Sequence, residues 1–151
     1  MTVLSRSTLA LLALLAGAIA LPVQAAAPKP PTPAAVLGAF KQAYPKATIK
    51  RTIHEERDGK AVVEIESVDH GLRRDLLYAV DGHLLECEET IPADSLPVTV
   101  REALNREAPG AKVGRIERID REGVVSYSIN VKAKGKAREI LLDPTGNTLE
   151  P

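Results

Sequence analysis

The 151-residue chain has no tryptophan, one phenylalanine, three tyrosines and a single cysteine. So few aromatic rings leave little for nucleic-acid bases to stack on. Its 20 basic and 20 acidic side chains cancel, so no bulk field draws it to nucleic acid or to an anionic membrane surface. One thiol, Cys87, closes no internal disulfide, and the core must rest on burial alone. Catalytic signatures are missing too. There is no nucleophile-elbow sequence and no glycine-rich phosphate loop. None of His54, His70 and His83 stands at metal-ligand spacing from a second ligand. Asp81-Gly82 lacks the series of oxygen ligands of a calcium loop. These absences argue against an enzyme, and neither a metal nor a cofactor is expected.

What is present begins with an export leader. Arg6 supplies a basic start, Leu9 to Leu21 is an apolar run, and Val23-Gln24-Ala25 offers a cleavage site. Residues 1–25 read as a signal peptide, which places the mature chain in the periplasm or outside the cell. The rival reading is a membrane anchor, but the run falls short of the ~20 residues that span a bilayer comfortably. Residues 26–32, rich in proline and alanine, read as a flexible lead-in.

Beyond the lead-in the chain is written twice, 64 residues apart. Tyr44-Pro45-Lys46-Ala47 recurs as Ala108-Pro109-Gly110-Ala111, and Gly59, Gly71 and Gly82 recur as Gly123, Gly135 and Gly146. Before each proline corner lies an amphipathic segment: Val36, Phe40 and Ala43 in the first copy, Val100, Ala103 and Leu104 in the second. After it the hydrophobic period drops to two, with turns at Asp58-Gly59, His70-Gly71 and Asp81-Gly82. The first helix is expected from Thr32-Pro33, with Thr32 as its cap. Strands in the second copy are expected at 111–121, 124–133, 136–143 and 147–150. The fold class is therefore α+β: two tandem α-β-β-β-β repeats, 33–91 and 92–151, forming one antiparallel sheet with both helices on one face.

Strand parity assigns the faces. The helix side should take Ile49, Ile53, Val63, Ile65, Leu76 and Tyr78, then Val113, Tyr127, Ile129, Val131, Ile140 and Leu142. The other side should take Thr48, Lys50, Thr52, Glu64, Glu66, Asp75, Ser128, Asn130, Lys132 and Glu139, with Leu77 and Leu141 among them. Arg51 and Arg115 fall on the wrong parity for charged residues, which calls for a β-bulge or a rim position.

The Phe40…Tyr44-Pro45-Lys46-Ala47 corner, the Asp81-Gly82-His83-Leu84-Leu85 turn and their partners in the second copy resemble the PepSY-like family, grouped with the β-lactamase-inhibitor-like fold. Those partners are Leu96-Pro97…Val100…Ala103-Leu104, Ala108-Pro109-Gly110-Ala111, Ser126-Tyr127-Ser128-Ile129 and Asp143-Pro144-Thr145-Gly146. The resemblance runs from Ala34 to the C-terminus. It implies a helix-backed sheet whose exposed side serves as a binding surface, with an inhibitory or chaperone role. The cysteine pairs of the β-lactamase inhibitor are lacking here.

The expected function is that of an exported, non-catalytic binding protein. Its partner would be an envelope protein or peptide, held on the open sheet face by Lys50, Glu64, Glu66, Asp75, Asn130, Lys132 and Glu139. A small-ligand or metal-ion sensor in an envelope stress response is the alternative. Two charge clusters, Glu86, Glu88 and Glu89 and Lys132, Lys134, Lys136 and Arg138, read first as solvated surface. Cys87 reads as a half-buried structural thiol, because the flanking carboxylates disfavour a thiolate.

Overall fold

The computed structural model describes residues 31–150. The leader expected over 1–25 and most of the lead-in lie outside the described residues. The order of elements is helix α1 (Ala34–Ala43), strands β1 (Thr48–Arg57), β2 (Lys60–Asp69), β3 (Leu72–Ala79) and β4 (Leu84–Thr90), a single 3-10 turn at Ala93–Ser95, helix α2 (Val98–Glu107), and strands β5 (Lys112–Arg121), β6 (Val124–Ala133) and β7 (Lys136–Leu142). The strands form one antiparallel sheet in simple sequence order. No described helix is long and apolar enough to cross a membrane.

The 64-residue period is visible in the geometry. Pro33 and Pro97 are the N-caps of the two helices, and neither helix has a side-chain cap. The cap expected from Thr32 is therefore not made. Proline at this boundary offers no side-chain acceptor, but its fixed φ sets the chain's entry into the helix. At the other end Tyr44 N–H donates to Phe40 O at 2.8 Å, and Ala108 N–H donates to Leu104 O at 2.9 Å. Both helices end where proline follows, as the corner sequence predicts.

Four hairpins share one turn. Asp58-Gly59, His70-Gly71, Glu122-Gly123 and Lys134-Gly135 each place two successive residues at positive φ, the geometry whose twist matches that of the flanking strands. The remaining pair of repeated turn glycines, Gly82 and Gly146, works differently. A Cβ on Gly82 would lie 2.8 Å from Ala35 O, and one on Gly146 would lie 2.7 Å from Thr99 O. These turns press against the first turns of α1 and α2, and only glycine leaves room for that approach.

Each half folds over its own core. Val36, Phe40, Val63, Ile65, Leu76 and Tyr78 form one cluster. Leu96, Val100, Ala103, Leu104, Ile116, Tyr127, Ile129, Val131, Ile140 and Leu142 form the other. Fully burying one such side chain stabilises the fold by about 1.5–3 kcal/mol. Between them runs the seam, where β4 pairs with β5 from Glu86↔Arg121 to Thr90↔Glu117. The pair Cys87↔Asp120 continues the helix-facing parity of Leu76↔Cys87, so both helices lie on the same side of the sheet.

Three expectations need correction. Ile53 and Thr52 exchange faces: the register slips between Ile49 and Arg51, after which Thr52 faces Ile65 and Ile53 faces Glu64. Lys50 is the extra residue of that bulge. The second copy slips likewise between Val113 and Ile116. The bulges resolve the parity of Arg51 and Arg115, each of which sits at an irregularity. The eighth strand, expected over 147–150, is only a bridge between Leu142 and Thr148, extended by Leu149 N–H donating to Leu141 O at 2.9 Å.

Candidate binding face

With both helices on one side, no described element covers the other. Antiparallel register fixes which side chains stand abreast on this open face. One row crosses the sheet as Ile53, Glu64, Leu77, Glu86, Arg121 and Val124; the next runs Arg51, Glu66, Asp75, Glu88, Ile119 and Ser126. A third continues Thr90, Glu117, Ser128 and Leu141. Carboxylates therefore concentrate on β2 to β5, around the buried Leu77.

Most of these carboxylates have an arginine. Arg51 bonds Glu66. Arg57 lies 2.9 Å from Glu55 and 3.8 Å from Glu64. Arg115 lies 3.1 Å from Glu117, and Arg121 Nε donates to Glu86 across the seam at 2.5 Å. Asp75 and Glu88 face each other directly and have no ion-pair partner among the described residues. One carboxylate oxygen of Asp75 is buried without a hydrogen bond. A depression of about 130 Å³ opens here, lined by Arg57, Glu64, Asp75, Leu77, Glu86 and Glu88.

The electrostatics follow from this crowding. Burial, then the hydrogen bond to Glu86 and the charges of Glu86, Glu117 and Asp75, push the Glu88 carboxyl up to about 7. Asp75 is raised by burial, opposed by Arg73 and helped by Glu66. Burial also raises Glu64 and Glu117. Glu86 goes the other way: burial would raise it, but the hydrogen bonds with Arg121 and Glu88, together with the charges of Arg121 and Arg57, hold it below the usual range.

The residues expected to form a site divide into two groups. Glu64, Glu66 and Asp75 stand together on β2 and β3. Asn130 and Glu139 face each other on β6 and β7, with Lys132 opposite Ala137, and β4 and β5 lie between the groups. Glu139 also accepts a short hydrogen bond from Ser128. Lys50 stands on the edge strand at the bulge. Sequence reasoning read Glu86 and Glu88 as solvated surface and passed over Glu117, Arg57 and Arg121. The signal that Glu86 and Glu88 belong to this face was present: Cys87 packs against the first core, so its neighbours must face the other way.

On the helix side Cys87 is half-buried, 3.9 Å from the Tyr44 hydroxyl. Burial pushes its thiol up and keeps it neutral, as a structural role requires. The lysine cluster forms the β6–β7 hairpin, where Arg138 donates to Glu107 O at the end of α2. No group of three or more His, Cys, Asp and Glu among the described residues could hold a metal ion.

Comparison with solved structures places this architecture. A BLIP-like protein from Bacteroides fragilis superposes with a TM-score of 0.60 at 19% identity, over 81% of this chain and 86% of that one. The chain shares its fold with a BLIP-like protein. A DUF2874 family protein from Bacteroides ovatus gives 0.63 at 20% identity over 81% and 87%. A Bacteroides eggerthii protein provisionally described as periplasmic gives 0.64 at 20% identity over 80% and 88%. No family model matches the sequence, and no curated protein does. The likeness at this identity is one of fold.

Proposed function

We propose that this is an exported, non-enzymatic binding protein whose open sheet face receives a basic segment of an envelope protein or peptide. The observation that carries the reading is the pair Asp75 and Glu88, two adjacent carboxylates with no ion-pair partner among the described residues, at the centre of a face that no other described element covers. A lysine or arginine side chain supplied by a partner would complete the pairing that every neighbouring carboxylate already has. Export rests on the N-terminal leader, and the likeness to a protein provisionally described as periplasmic agrees with it. An inhibitory role is the natural form of such binding, in keeping with the BLIP-like neighbour.

Affinity capture from an envelope fraction tests the face. The wild-type chain is compared with a variant carrying Glu64→Lys, Glu66→Lys and Asp75→Lys. A partner retained by the wild type and lost by the variant supports the reading; equal recovery of every partner refutes the proposed face.

A further inference from the structure

We propose that the open face beside the β4–β5 seam carries a proton-sensitive switch: Glu88, opposite Asp75 and next to Glu86 with no cation of its own among the described residues, takes up a proton on mild acidification, which stabilises the sheet and removes one negative charge from the centre of the face. The proposal concerns the folded chain alone and stands whether or not the binding reading does.

The geometry defines everything that Glu88 meets. Along β4, Glu86 and Thr90 flank it on the same face. From β3, Asp75 is directly opposite, with Arg73 and Leu77 on the diagonals. From β5, Ile119 is opposite, with Glu117 and Arg121 diagonal. Of the arginines nearby, Arg121 is engaged by Glu86 and Arg115 by Glu117. Arg57, which lines the same depression as Glu64 and Glu88, is engaged by Glu55 and Glu64, and Arg73 belongs to the Asp75 environment. Two carboxylates this close, Glu86 and Glu88, share a proton more readily than they both ionise. Arg121 keeps Glu86 charged, so the proton rests on Glu88, which can then donate to its neighbour.

The sign follows from linkage. Glu88 titrates at about 7 in the folded chain against an ordinary 4.5, so the folded state binds a proton that the unfolded state releases between these values. The stabilisation is complete below 4.5 and is lost as pH rises through about 7. Asp75, raised by burial, adds to the same trend at its lower end.

Carboxyl-carbon NMR titration of the purified full chain, with glutamate assigned, reads the switch directly. The expected midpoint for Glu88 is near 7, and a midpoint at or below 4.5 overturns the proposal. Thermal melting across the same range gives the second readout. The wild-type Tm should rise on acidification from about pH 8 to about pH 5.5, and Glu88→Gln should flatten that rise. An identical rise in the variant refutes the switch. Should Glu88→Gln fail to fold, Asp75→Asn serves instead: it removes a neighbouring charge and should lower the Glu88 midpoint, and an unmoved midpoint counts against the cluster.

Discussion

Replacing Gly146 with alanine tests the packing of turn against helix most sharply. Gly146 has φ +87, and its added Cβ would lie 2.7 Å from Thr99 O and 3.1 Å from the Ala103 Cβ. Positive φ alone costs a residue with a Cβ about 1–2 kcal/mol. The collision is with helix backbone, which cannot swing aside, and pushing the turn away costs about another 1–3 kcal/mol. Gly123→Ala supplies the control, because Gly123 has φ +88 but nothing within 4 Å of the added atom. Urea denaturation should show Gly146→Ala losing about 2–5 kcal/mol and Gly123→Ala about 1–2 kcal/mol. In melting, the larger loss corresponds to a fall of about 8–20 °C for a domain of this size. Gly82→Ala should behave like Gly146→Ala, since its Cβ would lie 2.8 Å from Ala35 O. Equal losses at Gly146 and Gly123 would refute the close approach as the reason for glycine.

Two further perturbations probe the seam and the core. Arg121→Ala should cost about 0.5–1 kcal/mol at neutral pH, a modest value because the arginine is largely exposed. Glu86 titrates below its ordinary 4.5 in the fold, so its pairing contributes fully above that value and is lost as pH falls through the lower one; the deficit of the variant should shrink accordingly, and a pH-independent deficit would deny the pairing. Cys87 should alkylate slowly in the native chain and completely in denaturant, as mass spectrometry would show, because its thiol is half-buried and held neutral. Rapid native labelling would contradict the structural role.

Much of the architecture could be read from residue order because it rests on local rules. Proline after Tyr44 and after Ala108 ends a helix wherever it occurs, and a glycine turn between alternating runs makes a hairpin whatever surrounds it. The bounds of β6 matched those expected for this reason. What escaped depends on pairing across strands. Ile53 and Thr52 were placed by counting in twos, and one inserted residue at Lys50 reversed both. The legibility of the candidate site fails in the same way. Glu64, Glu66 and Asp75 are neighbours along the sequence order of two adjoining strands, and parity found them. Their closest complement, Glu88, required knowing that β4 continues the sheet beside β3 with Cys87 inward. That Glu88 has no cation while Glu86 has one is set by Arg121, which lies 35 residues away on β5.

The strand that shrank to a bridge has a further consequence, for assembly. With the seven described strands alternating in direction, the first and last of them point the same way. Stacking copies edge to edge, helices always on one side, would set β7 of one beside β1 of the next in parallel, against the antiparallel grain of the sheet. An eighth full strand would have reversed the outer edge and made an endless antiparallel ribbon geometrically available. The odd count instead requires each edge to pair with its own kind about a twofold axis, β1 with β1 and β7 with β7, so that neighbouring copies in any antiparallel ribbon would be turned end over end.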